Sequence, residues 1–137
     1  MSGGALPHRL GVSETILIFK QHINFMGGLD GLLKAIPSLK ERACEKKLFV
    51  AAESISDGIA LCHAGVDGLQ IDKLSIEALL EGVPTLRQIA PSVTLLTAGG
   101  ITEANAAHYA VTGVDALVTT SLFSAKPIDI GVLIEPL

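Results

Sequence analysis

Ala64-Gly65-Val66-Asp67-Gly68-Leu69 recurs 48 residues later as Thr112-Gly113-Val114-Asp115-Ala116-Leu117. In each copy a glycine ends a helical pattern, an aspartate stands in the turn and an apolar strand begins. A unit that repeats in this way, each copy spanning two βα steps, points to a repeating (βα) architecture.

Outward from the two copies the same alternation covers most of the chain. Thr15-Ile16-Leu17-Ile18-Phe19, Leu48-Phe49-Val50-Ala51-Ala52, Gly68-Leu69-Gln70-Ile71, Val93-Thr94-Leu95-Leu96 and Ala116-Leu117-Val118-Thr119 read as strands. Between them lie helical patterns at Leu29 to Ala43, Ile55 to His63, from Ile76 behind a Ser75 cap, and Glu103 to Val111 behind a Thr102 cap. Pro37 is expected to kink or divide the first of these, and Gly82-Val83-Pro84 to bend the third. Gly65 and Gly113 are natural left-handed helix ends. Five parallel strands build either an open doubly wound sheet or part of a (βα) barrel. The uniform echo leans toward the barrel, short of the usual strand count and with two unsealed edges.

Composition narrows the class. The 137 residues are one domain's worth and are 49% hydrophobic, with four Phe, one Tyr and no Trp, so the core is aliphatic and suits buried parallel strands. A net charge of −4 with no basic run argues against nucleic acid as a partner. No apolar run approaches the roughly 18 residues that span a bilayer, and Met1-Ser2-Gly3-Gly4 is no signal peptide, so a cytoplasmic protein without membrane contact is expected. Cys44 and Cys62 lack metal-ligand spacing and read as two buried free thiols.

In either architecture ligands bind beyond the C-terminal ends of the strands. Those ends deliver Lys20, Gln21 and His22, then Glu53 and Ser54, Asp72 and Lys73, Thr97-Ala98-Gly99-Gly100, and Thr119-Thr120-Ser121. Gly99-Gly100, running into the Thr102 cap, either lets backbone N–H groups approach a phosphate or forms a bare strand-to-helix turn. Glu53 and Asp72 either hold a divalent cation or ribose hydroxyls, or cap the helices they precede. His8-Arg9 either grips a carboxylate or is a solvated pair. His63 and His108 read as structural or exposed, and no Ser/His/Asp arrangement is legible.

Taken together these residues resemble a known family. His8-Arg9-Leu10-Gly11-Val12-Ser13-Glu14 through Leu17-Ile18-Phe19-Lys20-Gln21-His22-Ile23 is similar to a stretch of the quinolinate phosphoribosyltransferases (nicotinate-nucleotide pyrophosphorylases). So are Val50-Ala51-Ala52-Glu53-Ser54, Leu69-Gln70-Ile71-Asp72-Lys73, Ala98-Gly99-Gly100-Ile101 and Ser124-Ala125-Lys126-Pro127-Ile128-Asp129-Ile130, all in the family's order. The resemblance implies the C-terminal portion of an incomplete (βα) barrel, residues 1–137, without the family's N-terminal α/β sandwich domain. It implies phosphoribosyl transfer between 5-phosphoribosyl 1-diphosphate and a nitrogen-containing acid, a magnesium cofactor, a nucleotide-like small-molecule partner and a homo-oligomer.

Carried over by position, Glu53 and Asp72 would be catalytic and face the ribose, with Asp72 also meeting magnesium through the diphosphate. His8, Arg9 and Lys20 would bind the substrate acid, and Ala98, Gly99, Gly100, Thr119 and Thr120 the phosphate. Phe19 stands where the family has a carboxylate-binding lysine, Ala51 where it has a glutamate and Thr120 where it has a glycine. Phe19-Lys20-Gln21-His22 resembles the ModD branch, encoded alongside molybdate transport, within a family of NAD biosynthesis. A truncated, catalytically inactive phosphate-binding remnant is the second reading, and a flavodoxin-like open-sheet binding domain the third. The third requires the strand order to reverse within the sheet.

Overall fold

The computed structural model describes residues 4–9, 11, 14–124, 127–128 and 130–135. Its elements run β1 (Ile16–Ile18), α1 (Lys20–Phe25), α2 (Gly28–Arg42), β2 (Leu48–Ala52), α3 (Ile55–His63), β3 (Gly68–Asp72), α4 (Ile76–Ile89), β4 (Thr94–Ala98), α5 (Glu103–Ala110), β5 (Ala116–Val118) and a 3-10 turn at Ser121–Ser124. The strands lie in the order β1-β2-β3-β4-β5 and every pairing is parallel. Strand order therefore never reverses, which removes the flavodoxin-like reading and leaves the barrel arc.

The apolar residues divide between the two faces of this arc. Ile18, Leu48, Val50, Leu69, Ile71 and Leu95 pack with Leu32 and Ile36 of α2, Leu61 of α3, and Leu79, Val83 and Leu86 of α4. Leu17, Phe49 and Leu96, joined by Phe19 and Val118, form a second cluster to which no helix residue contributes. All the core-forming helices cover one face, and the other is the concave face of a barrel. Because alternate residues face opposite ways, all five residues of β2 are buried.

The echo has a physical basis that the turn pattern alone did not reveal. Gly65 and Gly113 adopt φ of +84° and +85°, the left-handed helix end expected of them. The following aspartate side chains then reach across the sheet's N-terminal rim. Asp67 accepts the Leu48 N–H at 2.8 Å and pairs with Lys40 at 2.9 Å. Asp115 accepts the Leu95 N–H at 2.7 Å and pairs with Arg87 at 2.7 Å. In each copy a helix cation, a turn aspartate and an N–H near the start of the preceding strand are locked together.

Pro37 does not divide its helix: α2 is one continuous element, as is α4 around Pro84. The break falls upstream of Pro37, between α1 and α2, where Gly27 and Gly28 are both left-handed and the Met26 carbonyl packs on Gly31. α1 itself went unread, since its six residues bury none of their side chains and so show no amphipathic stripe. Cys62 is buried and its thiol is pushed up by burial, but Cys44 is exposed. Leu10, Val12, Ser13, Ala125, Lys126 and Asp129 of the quoted stretches lie outside the described residues.

Candidate active site

The C-terminal ends of β1, β2 and β3 border a cavity of about 440 Å³, whose lining includes Phe19, Lys20, Ala51, Glu53, Asp72 and Lys73. Glu53 lies one residue beyond Ala52, which pairs in register with Ile71, so Glu53 and Asp72 leave neighbouring strands at the same level. Neither caps a helix. Ser54 takes that role at α3 by accepting the Asp57 N–H at 3.1 Å, and Ser75 at α4 by accepting the Ala78 N–H at 3.2 Å. Both carboxylates are thereby left for the cavity.

Each carboxylate has a different neighbour. Lys20, the first residue of α1, donates to both oxygens of Glu53 at 2.7 and 3.0 Å. More than half of each side chain is open to solvent, so this pair contributes little stability and is free to rearrange around a ligand. Asp72 accepts at Oδ1 from the side-chain amide of Gln70 at 3.0 Å. The Gln70 amide oxygen in turn meets His8 Nε2 at 3.1 Å. Gln70 is a buried polar residue that the sequence reading passed over. The available signal was an amide inside an apolar strand, two residues before Asp72 and so on the same face.

The glycine turn adjoins the cavity across Lys73. Gly99 and Gly100 adopt φ of +95° and +72°, and Lys73 is itself left-handed at +59°. Lys73 donates its N–H to the Ala98 carbonyl at 2.8 Å, and its side chain lies where a Cβ on Gly99 would have to be. Gly99 is thus required twice, by its dihedral and by the close approach of Lys73. Behind the turn the Asn105 side chain accepts the Thr102 N–H at 2.8 Å and donates to the Gly100 carbonyl at 3.0 Å. The Asn105 oxygen, rather than a Thr102 hydroxyl bond, anchors the start of α5.

Thr119 departs from the role expected of it as a free donor. Its hydroxyl donates to the Ile101 carbonyl at 2.6 Å and accepts the Ser121 N–H at 3.0 Å, tying the end of β5 to the glycine turn. Thr120 is exposed beside it. His8 reaches the cluster through Gln70, whereas Arg9 is exposed and no described residue bonds to it. His22 accepts the Phe19 N–H at 2.9 Å within the first turn of α1. Among the described residues no group of three or more His, Cys, Asp or Glu is gathered to hold a metal.

A parallel arc of five strands covered by helices on one face, with carboxylates, lysines and a paired-glycine turn at its strand ends, defines an α/β domain of the barrel class. Residues 1–133 match the model of the quinolinate phosphoribosyl transferase C-terminal domain, and the chain belongs to that family. The ModD protein of Escherichia coli O157:H7 is 35% identical over 99% of this chain and 48% of its own length. The nicotinate-nucleotide pyrophosphorylase (carboxylating) of Mycobacterium leprae is 32% identical over 94% of this chain and 45% of its own. Among solved structures, a NadC deletion mutant superposes with a TM-score of 0.76 at 27% identity, covering 88% of this chain and 41% of that one. The nicotinate-nucleotide pyrophosphorylase from Francisella tularensis superposes with a TM-score of 0.73 at 28% identity, covering 84% and 39%. The chain spans about half the length of the curated relatives it matches.

Proposed function

We propose that this chain forms the phosphoribosyl and diphosphate half of a ModD-like pyrophosphorylase site, which moves a phosphoribosyl group between 5-phosphoribosyl 1-diphosphate and a nitrogen-containing acid. The observation that carries the reading is the convergence of Glu53, Asp72 and the Gly99-Gly100 turn at one end of three adjacent strands, in a chain of this family. In the forward direction the bond from ribose C1 to the diphosphate oxygen breaks, and a bond from C1 to the acceptor nitrogen forms. Positive charge grows on the ribose ring as the diphosphate leaves, and Glu53 and Asp72 are placed to stabilise it. The left-handed turn offers backbone N–H groups to the phosphate, with Thr120 and Ser121 alongside. Lys20 and His8 face the acceptor.

Magnesium fits this arrangement as a partner carried by the diphosphate. Such an ion needs only one or two protein carboxylates when phosphates complete its shell, and Asp72 keeps Oδ2 outside its bond to Gln70. When bound it neutralises the leaving diphosphate. The homo-oligomeric state, the cytoplasmic setting and a connection to molybdate transport belong to the same proposal and follow from the likeness to ModD. The membrane statement is narrower: among the described residues no helix is long and apolar enough to cross a bilayer.

Isothermal titration with 5-phosphoribosyl 1-diphosphate and magnesium tests the proposal. Wild type should bind, and Asp72→Ala should weaken binding at least tenfold. No heat with wild type would overturn the phosphoribosyl reading. Binding without release of diphosphate, on adding quinolinate or other nitrogen-containing acids, would instead support a phosphate-binding remnant.

A further inference from the structure

Gln70 stands on the concave face in the middle of the sheet, paired in register with Ala51 on one side and Leu96 on the other, and is only 5% exposed. An amide buried there without partners would cost more than a hydrogen bond contributes. Both ends of this amide are used. Its nitrogen faces Asp72 Oδ1 at 3.0 Å and its oxygen faces His8 Nε2 at 3.1 Å.

The chemistry of the three groups fixes the proton positions. An ionised carboxylate only accepts, so the –NH2 end of Gln70 must point to Asp72. The amide oxygen then points to His8, and an oxygen without a proton requires one on His8 Nε2. The chain therefore runs in one direction, His8 Nε2–H to Gln70 to Asp72. Its far end occupies one oxygen of Asp72 and leaves the other turned toward ligand.

We infer that Gln70 is a positioning residue, which orients the Asp72 carboxylate and ties the His8 segment to it. The ligand part of this inference rests on the phosphoribosyl reading above; the directed chain does not. Through this link, whatever Asp72 binds is sensed by the segment that carries His8 and Arg9.

Two measurements on the intact chain test it. The first is the His8 ring tautomer, read from its 15N shifts at a pH where the ring is neutral. Wild type should show the Nε2–H form, and both Gln70→Leu and Asp72→Leu should shift it toward a mixture. An Nδ1–H ring in wild type, or a tautomer unmoved by both substitutions, overturns the inference. The second is affinity for 5-phosphoribosyl 1-diphosphate with magnesium. Gln70→Leu should weaken it about five- to tenfold, within the range of one ordinary hydrogen bond lost. His8→Ala, which replaces an exposed side chain and leaves the core intact, should weaken it less but in the same sense.

Unchanged affinity in Gln70→Leu overturns the positioning role. If wild type binds no phosphoribosyl diphosphate at all, the functional reading falls, while the tautomer still decides for or against the directed chain.

Discussion

Asp67 and Asp115 show how single residues hold this arc together. Each aspartate satisfies an N–H near the start of a strand and a helix cation at once, so its loss leaves more than one group without a partner. Asp67→Ala is expected to lower stability by about 1–3 kcal/mol in urea denaturation, the cost of orphaning such groups. Asp115→Ala should cost less, because its side chain is 46% exposed against 29% for Asp67, and water can replace part of what is removed. A second contrast lies one residue further along. Gly68 pairs with Phe49, whose ring lies where a Cβ would stand, whereas its counterpart Ala116 pairs with Leu96 and is exposed. Gly68→Ala should therefore destabilise by about 1–3 kcal/mol through overpacking. Ala116→Gly should change little, about 1 kcal/mol at most, and the same denaturation series reads both.

At the scale of elements, the two aspartates set how the helix–strand junctions respond to acid. Burial works against ionisation of Asp67, but the Leu48 N–H and Lys40 outweigh it and hold the carboxyl below the usual carboxylate range. For Asp115 burial is likewise outweighed, by Arg87 and the Leu95 N–H. A carboxyl lowered in the folded state adds stability above its unfolded pKa of about 3.9, and that stability is lost as pH falls through the lower folded value. Denaturation midpoints followed from pH 6 down to pH 2 should therefore fall below about pH 4. The Asp67→Asn/Asp115→Asn double variant should fall less steeply over that interval. An unchanged slope would show that other carboxylates govern the acid limb. The β4–α5 junction makes a separate case. Gly99→Ala forces a Cβ into the Lys73 side chain at an unfavourable φ, so it should cost about 1–3 kcal/mol and also weaken phosphoribosyl diphosphate binding.

For the whole molecule, binding at the strand ends should register as global stability, because the cavity draws on the ends of three strands and on three helices that share one core. Phosphoribosyl diphosphate with magnesium, at a hundredfold excess over its Kd, should add about 2.7 kcal/mol and raise Tm, an effect that Asp72→Ala should cut to about 1.4 kcal/mol or less at the same concentration. The strand order was decided at this scale too. Period and turn residues are local, and they place strands and helices along the chain without saying which strands become neighbours. Sequential parallel pairing arises because each helix returns the chain on the same face of the sheet, and only the assembled core records that choice.

By itself the sequence determined the (βα) alternation and β2 and α3 to the residue. It also determined the left-handed glycines at Gly65 and Gly113 and the placing of Glu53, Asp72 and Gly99-Gly100 at strand ends. All of these rest on interactions within a few residues of chain. Tertiary structure alone decided that Asp67 and Asp115 brace preceding strands. It alone decided that Thr119 secures the glycine turn and that Gln70 links His8 to Asp72 across 62 residues of sequence. Those bonds join groups far apart in the chain, and no local pattern encodes the distance between them once folded.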